Sequence, residues 1–167
     1  MTVTSGLRQF LLAMKRNEHI VTLSRDHHFG LLFCWKIRQG LKNRTETERL
    51  TRYVDYFWSN HLRDHFGQEE TILFIPENDP NCLRAKEEHR SIEKLIGAII
   101  AQNSGTEMLE ELADKIDAHI RFEERELFPY FESVLTPGQL ENIGNELQKA
   151  HQESQTDNYE DEFWKIR

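Results

Sequence analysis

Apolar residues recur three and four apart along most of the chain, with charged and polar residues between them, which is the period of amphipathic helices. The first 23 residues carry a short apolar stretch, Phe10, Leu11, Leu12 and Met14, then the polar run KRNEH, then Ile20, Val21 and Leu23, and read as an N-terminal arm. Ser24 is placed to cap a helix over about 25–42, with Asp26 in its first turn, where the helix dipole favours an acid. Thr45 and Glu48 have capping-box spacing and open a long helix from Glu46 to about Phe74, ended by Pro76. Asp79 and Pro80 start a third helix that reaches about Gln102. After Asn103, Ser104 and Gly105, a fourth runs from Thr106 to about Leu135, with Pro129 expected to kink it. Thr136 and Pro137 open a fifth, to about Ser154. No strand alternation is present. The fold class predicted is all-α: an antiparallel up-down four-helix bundle with core at about 24–135, plus an N-terminal arm and an extra C-terminal helix. The charged tail holds Tyr159, Phe163 and Trp164, which are expected to dock on the bundle.

A chain of 167 residues suits one domain, 1–167, with 136–167 as accessory to the bundle. The net charge of -8, with no cluster of Lys and Arg, argues against a nucleic-acid or anionic-membrane surface. Cys34 and Cys82 lie in helical sequence with no disulfide-like spacing, so a cytoplasmic setting is expected. The run at Phe10–Met14 is too short to span a membrane and lacks a preceding basic segment, so neither a membrane span nor a signal peptide is expected.

The chemistry is carried by a repeat. HFGQEETILFIP from His65 and HIRFEERELFP from His119 both read HxxxEExxLF, followed by a proline with one residue of slack. Positions i and i+4 share a helix face, so His65 with Glu69, and His119 with Glu123, each project an imidazole and a carboxylate the same way. Leu73, Phe74, Leu127 and Phe128 follow, which turns those faces inward. A buried carboxylate needs a partner, and a cation supplies one.

Two metal ions need further ligands, and the remaining helices offer matching histidines. His89 is followed by Ile92, Leu95, Ile96 and Ile99 at inward offsets. In the first helix, His27 has Gly30, Phe33, Cys34 and Ile37 at those offsets, whereas counting from His28 brings Arg38 inward. His27 therefore fits better, with His28 as the alternative. His61 reads as a residue behind the ligands or at the surface, and His19 and His151 as solvated. Glu70 and Glu124 point about 100° away from their neighbours, and Glu93 is a weaker ligand candidate. No general base, nucleophile or substrate pocket stands out, so binding ranks above turnover.

His, HxxxE, His, HxxxE over four helices resembles the hemerythrin-like family, the HHE cation-binding domain, across about residues 24–135. The resemblance implies a non-haem di-iron centre held by His27 or His28 with His65, Glu69, His89, His119 and Glu123, the two glutamates bridging. With an oxo or hydroxo bridge, roughly two of twelve coordination positions stay open for a small ligand such as O2 or NO. Manganese or zinc would also suit these donors. The third helix presents His89 and Glu93 where oxygen-carrying hemerythrins have two histidines, which points away from reversible oxygen carriage and toward the sensing, repair and iron-handling members. The alternatives are a di-iron oxidase or peroxidase-like enzyme, and an interaction module with a structural metal site.

Overall fold

The structure, a computed structural model, describes residues 16–102, 105–151 and 156–165. The Phe10–Met14 stretch of the expected arm lies outside them. Among the described residues all regular structure is helical: α1 Val21–Lys42, α2 Thr47–Phe57, α3 Arg63–Gln68, α4 Pro80–Gln102, α5 Thr106–Phe122, α6 Phe128–Val134 and α7 Pro137–Ala150. A π turn, Trp58–Leu62, joins α2 to α3, a second, Glu69–Leu73, extends α3, and a third, Glu123–Leu127, joins α5 to α6. The described chain thus forms five helical rods.

Their ends follow local chemistry, with three departures from expectation. First, α1 starts at Val21, so Ser24 lies inside its first turn rather than capping it, and its Oγ accepts from Arg16 Nε at 3.2 Å. Second, Thr45 and Glu48 form no capping box, because Thr45 already belongs to the end of α1. Its N–H donates to the Gly40 carbonyl at 2.9 Å and that of Arg44 to Leu41 at 3.0 Å, a Schellman closure with Arg44 at φ 55°. Third, α7 stops at Ala150 rather than near Ser154. The Thr136–Gln139 capping box and Pro137 do open α7. Pro129 is the second residue after the π turn Glu123–Leu127 and has no N–H for the carbonyl four residues back.

Helix α1 lies along α5, which also packs on α4, while α2 touches both α1 and α4. Gly30 permits the α1–α5 approach, since a Cβ there would sit 2.6 Å from Ile120 Cδ1. Buried apolar side chains form two separate clusters. One includes Leu31, Phe33, Phe66, Ile92 and Ile120; the other includes Leu23, Leu73, Ala85, Phe122 and Phe128. Along each of the first four rods the chain passes from one cluster to the other, and the crossing points carry His27, Glu69, His89 and Glu123. A buried polar layer therefore divides the core.

The tail docks as expected. Phe163 is buried, and Tyr159 and Trp164 pack on the first cluster. Asp157 accepts from Lys36 Nζ and from the Tyr53 hydroxyl, each at 2.6 Å. Among the described residues no helix is long and apolar enough to cross a membrane.

Candidate metal centre

Four rods supply six side chains to the polar layer. His27 comes from α1, His65 from α3, His89 from α4 and His119 from α5, while Glu69 and Glu123 are each the first residue of a π turn. All six are buried, the two glutamates completely. The i,i+4 spacing puts His65 Nε2 3.0 Å from Glu69 Oε1 and His119 Nε2 3.2 Å from Glu123 Oε1. Each glutamate then reaches across. Glu69 turns Oε1 toward His27 and His65 and Oε2 toward His89, at 3.3 Å. Glu123 turns Oε2 toward His27, at 2.9 Å, and Oε1 toward His89 and His119. Two groups of potential cation donors result: His27, His65, Glu69 and Glu123, and then Glu69, His89, His119 and Glu123, with donor atoms within 4.8 Å of one another in each. They share both carboxylates.

The structure leaves two candidates out. His28, one residue and about 100° beyond His27, is exposed, and so is Glu93. The other five candidates of the repeat and the third helix converge with His27.

Behind each imidazole stands a carboxylate that sequence reasoning did not assign. Nδ1 of His27 faces Glu124 at 2.6 Å, that of His89 faces Glu70 at 2.7 Å and that of His119 faces Glu88 at 2.7 Å. His65 Nδ1 faces Asp26 at the longer 3.4 Å. These contacts form a closed ring, since the first rod supports the second, the second the third, the third the fourth and the fourth the first. Glu70 and Glu124 do leave the face of Glu69 and Glu123, but the flank they turn to is where the next histidine stands. The signal was present in sequence: Asp26, Glu70, Glu88 and Glu124 are each adjacent to a donor, His27, Glu69, His89 and Glu123. A carboxylate on Nδ1 fixes the tautomer and the ring, and leaves Nε2 to face the centre.

Arginines back two of the four and a histidine a third. Arg16 Nη2 lies 2.8 Å from Glu124, Arg84 Nε 2.8 Å from Glu88, and His151 Nε2 3.1 Å from Asp26. His151, expected to be solvated, is instead half-buried against α1.

The electrostatics describe a cluster that wants positive charge between its carboxylates. Burial disfavours charge on His27, yet Glu123, Glu124 and Glu69 outweigh it and hold its pKa well above the ordinary value. The same contest at His65, decided by Glu69 and Asp26, lifts its pKa to about 9. His89 and His119 are raised against burial by Glu123 and by the carboxylates at their backs. Burial and the neighbouring Glu123 push the Glu69 carboxyl up, but His65 and His27 bring it below the carboxylate range. Glu123 is likewise held low against burial, by His119 first.

A cavity of about 20 Å³, counted as the space open to the centre of a water-sized molecule, adjoins the first group. His27, His65 and His119 reach it, and Phe66, Ile116 and Ile120 supply apolar wall. The space is small and its lining largely apolar.

These donors fit a metal. The four oxygens of Glu69 and Glu123 and the Nε2 of His27 are buried without a hydrogen bond of good geometry. His89 and His119 also aim their Nε2 atoms at one place, 3.0 Å apart. A cation between them satisfies every one of these groups. Helical rods around such a buried His/Glu layer define a cation-binding helical protein. The family model of the hemerythrin HHE cation binding domain matches residues 16–131, and the chain belongs to that family. No curated protein and no solved structure matches it significantly.

Proposed function

We propose that this protein is a non-haem di-iron protein of the hemerythrin type that binds or senses a small ligand such as O2 or NO in the cytoplasm. In this reading the first four rods form an antiparallel bundle within a single domain, and the accessory helix and tail brace it. The carrying observation is that Glu69 and Glu123 each present one oxygen to either histidine pair. His27 and His65 would hold one iron, His89 and His119 the other, and the two carboxylates would bridge them. Manganese or zinc would find the same donors, and supply in the cell selects among such metals more than affinity does.

Iron would supply electrons and an open coordination position to a small ligand. The chain's own contribution is orientation and exclusion. Carboxylates on Nδ1 stop the imidazoles from turning and raise their donor strength. Phe66 stacks on His89 at 3.8 Å between centroids and Phe128 on His27 at 5.2 Å, which limits water at both pairs. A purely structural site is closed by its protein ligands; the cavity against three of the four histidines favours ligand binding instead. Its small volume and apolar lining favour a small ligand over a bulky organic substrate.

The test is metal content per chain on protein purified without added zinc, with absorption spectra taken anaerobically and then in air. About two irons and a near-ultraviolet band arising on oxidation support the reading. Zinc alone, or a folded protein without metal, overturns it in favour of a structural module.

A further inference from the structure

The six donors are at most 6 % exposed, so a metal ion must cross the shell around them to reach the centre. The four carboxylates of that shell differ in what stands outside them. Glu124 and Glu88 are held by Arg16 and Arg84, whose guanidinium groups have no lone pair to offer a metal. Glu70 has the cations Lys86 and Arg90 as neighbours. Asp26 alone of the four is held by an imidazole, that of His151, a group that can itself bind a metal.

A surface cleft of about 460 Å³ between α1 and α7 has His151 in its wall, with His19 and Glu18. These are again imidazole and carboxylate, the donor types of the centre. Arg25 lines the cleft too, set against the negative charges of Glu18 and, behind His151, of Asp26. Gly144 lets His19 lie against α7, since a Cβ there would sit 2.6 Å from its Nδ1. His151 Nε2 is 3.1 Å from Asp26, near the separation of about 3.4 Å between two ligands of one tetrahedral ion. Its Nδ1 is buried without a hydrogen-bond partner. Asp26 in turn faces His65 Nδ1 at 3.4 Å and shares the wall of the inner cavity with His27 and His65. Contacts therefore lead from the outer cleft to the inner cavity through His151 and Asp26. A second cleft, of about 210 Å³, touches His119, but Lys115 lies in its wall and its carboxylate, Glu88, is already taken by Arg84.

We propose that the cleft between α1 and α7 is the port by which divalent cations reach the buried centre, with Glu18 and His19 collecting an ion and His151 and Asp26 passing it inward to His27 and His65. The proposal rests on the metal-centre reading above. It gives the accessory helix a function, since α7 supplies one wall of the port and ends at its inner donor, His151. A port changes how fast metal enters and leaves and not how tightly it is held, which separates these residues from the ligands and from the carboxylates that orient them.

Stopped-flow mixing of cobalt(II) with the metal-free full-length protein tests this, following the visible absorption that cobalt gains on binding, with final metal per chain and release into excess EDTA measured alongside. The double variant Glu18→Gln, His19→Gln and the single variant His151→Gln, which keeps an N–H for Asp26, should each load about tenfold more slowly, the low end of what a charged cleft adds to an association rate. Release should slow in proportion, and the final content should stay at two per chain. Uptake unchanged in either variant overturns the proposal while leaving the metal centre standing. Slower uptake with faster release also overturns it, by making these residues supports of the bound metal. A wild-type chain that takes up no metal defeats the metal-centre reading, and this proposal with it.

Discussion

Glu123 is the residue on which most of the centre depends, because it is fully buried and faces three imidazoles, those of His27, His89 and His119. Glu123→Gln keeps the shape but replaces one acceptor oxygen by an amide and removes the charge. Metal content should fall from two per chain to one or fewer, measured by plasma mass spectrometry on folded protein; two retained metals would exclude a bridging role. Glu88 acts at one remove. Glu88→Gln should leave two metals but weaken the more labile one about 10–100-fold in a chelator competition, since the Nδ1 of His119 loses its charged partner. Arg44 shows a different kind of cost. It occupies the left-handed region at φ 55°, where side chains are strained by roughly 1–2 kcal/mol, and glycine is the residue that relieves this. Arg44→Gly should raise stability by about 0.5–1 kcal/mol in urea unfolding, after the entropy glycine adds to the unfolded chain. At this scale the repeat spacing made His65, Glu69, His119 and Glu123 legible, since i and i+4 are fixed by helix geometry. It could not reveal that Glu124 meets His27, because that contact depends on the distance between rods.

The rods themselves were largely legible, down to the start of the fifth at Thr136 and Pro137 and the stop before Pro76. The three π turns were not. Each adds a residue to a helix without changing the apolar pattern enough to announce itself, and two begin on the glutamates of the repeat. That placement has a consequence for packing: each glutamate reaches the polar layer while Leu73 and Phe74, or Leu127 and Phe128, still enter the second apolar cluster. The tail is an element of another sort, held by chemistry more than by helical period. Lys36, 7 % exposed, and Asp157, 4 % exposed, form an ion pair at 2.6 Å, with the Lys36 ammonium also 3.8 Å from the Trp164 ring. Removing one member strands the other in the core. Asp157→Ala should therefore cost about 3–5 kcal/mol, read from chemical denaturation, and the protein should become more sensitive to protease near residue 156. A loss below about 1 kcal/mol would mean that the tail contributes little to the fold.

For the molecule as a whole, the decisive relation is between protons and metal. Four imidazolium ions carry the same charge as two divalent cations beside four neutral imidazoles, so the ring of carboxylates is balanced equally by either. Metal-free, the raised histidines contribute stability that is complete below their ordinary value of 6.5 and lost as pH climbs through the folded value, about 9 at His65. The lowered Glu69 contributes above its ordinary value of 4.5 and loses that contribution as pH falls. The metal-free protein should therefore be most stable between about 4.5 and 6.5 and weaken toward pH 9. Metal loading requires neutral imidazole and should strengthen over the same rise. Adding zinc or ferrous iron to the metal-free protein at pH 7 should accordingly release up to about four protons per chain, countable with a pH indicator in weak buffer. Urea midpoints at pH 6 and pH 9, with and without chelator, should diverge: the metal-free midpoint falls with pH while the loaded one holds or rises. Release of fewer than about two protons, or parallel midpoints, would show that the histidines are already neutral in the metal-free fold, and the centre would then be held open by packing, with no exchange of protons for metal.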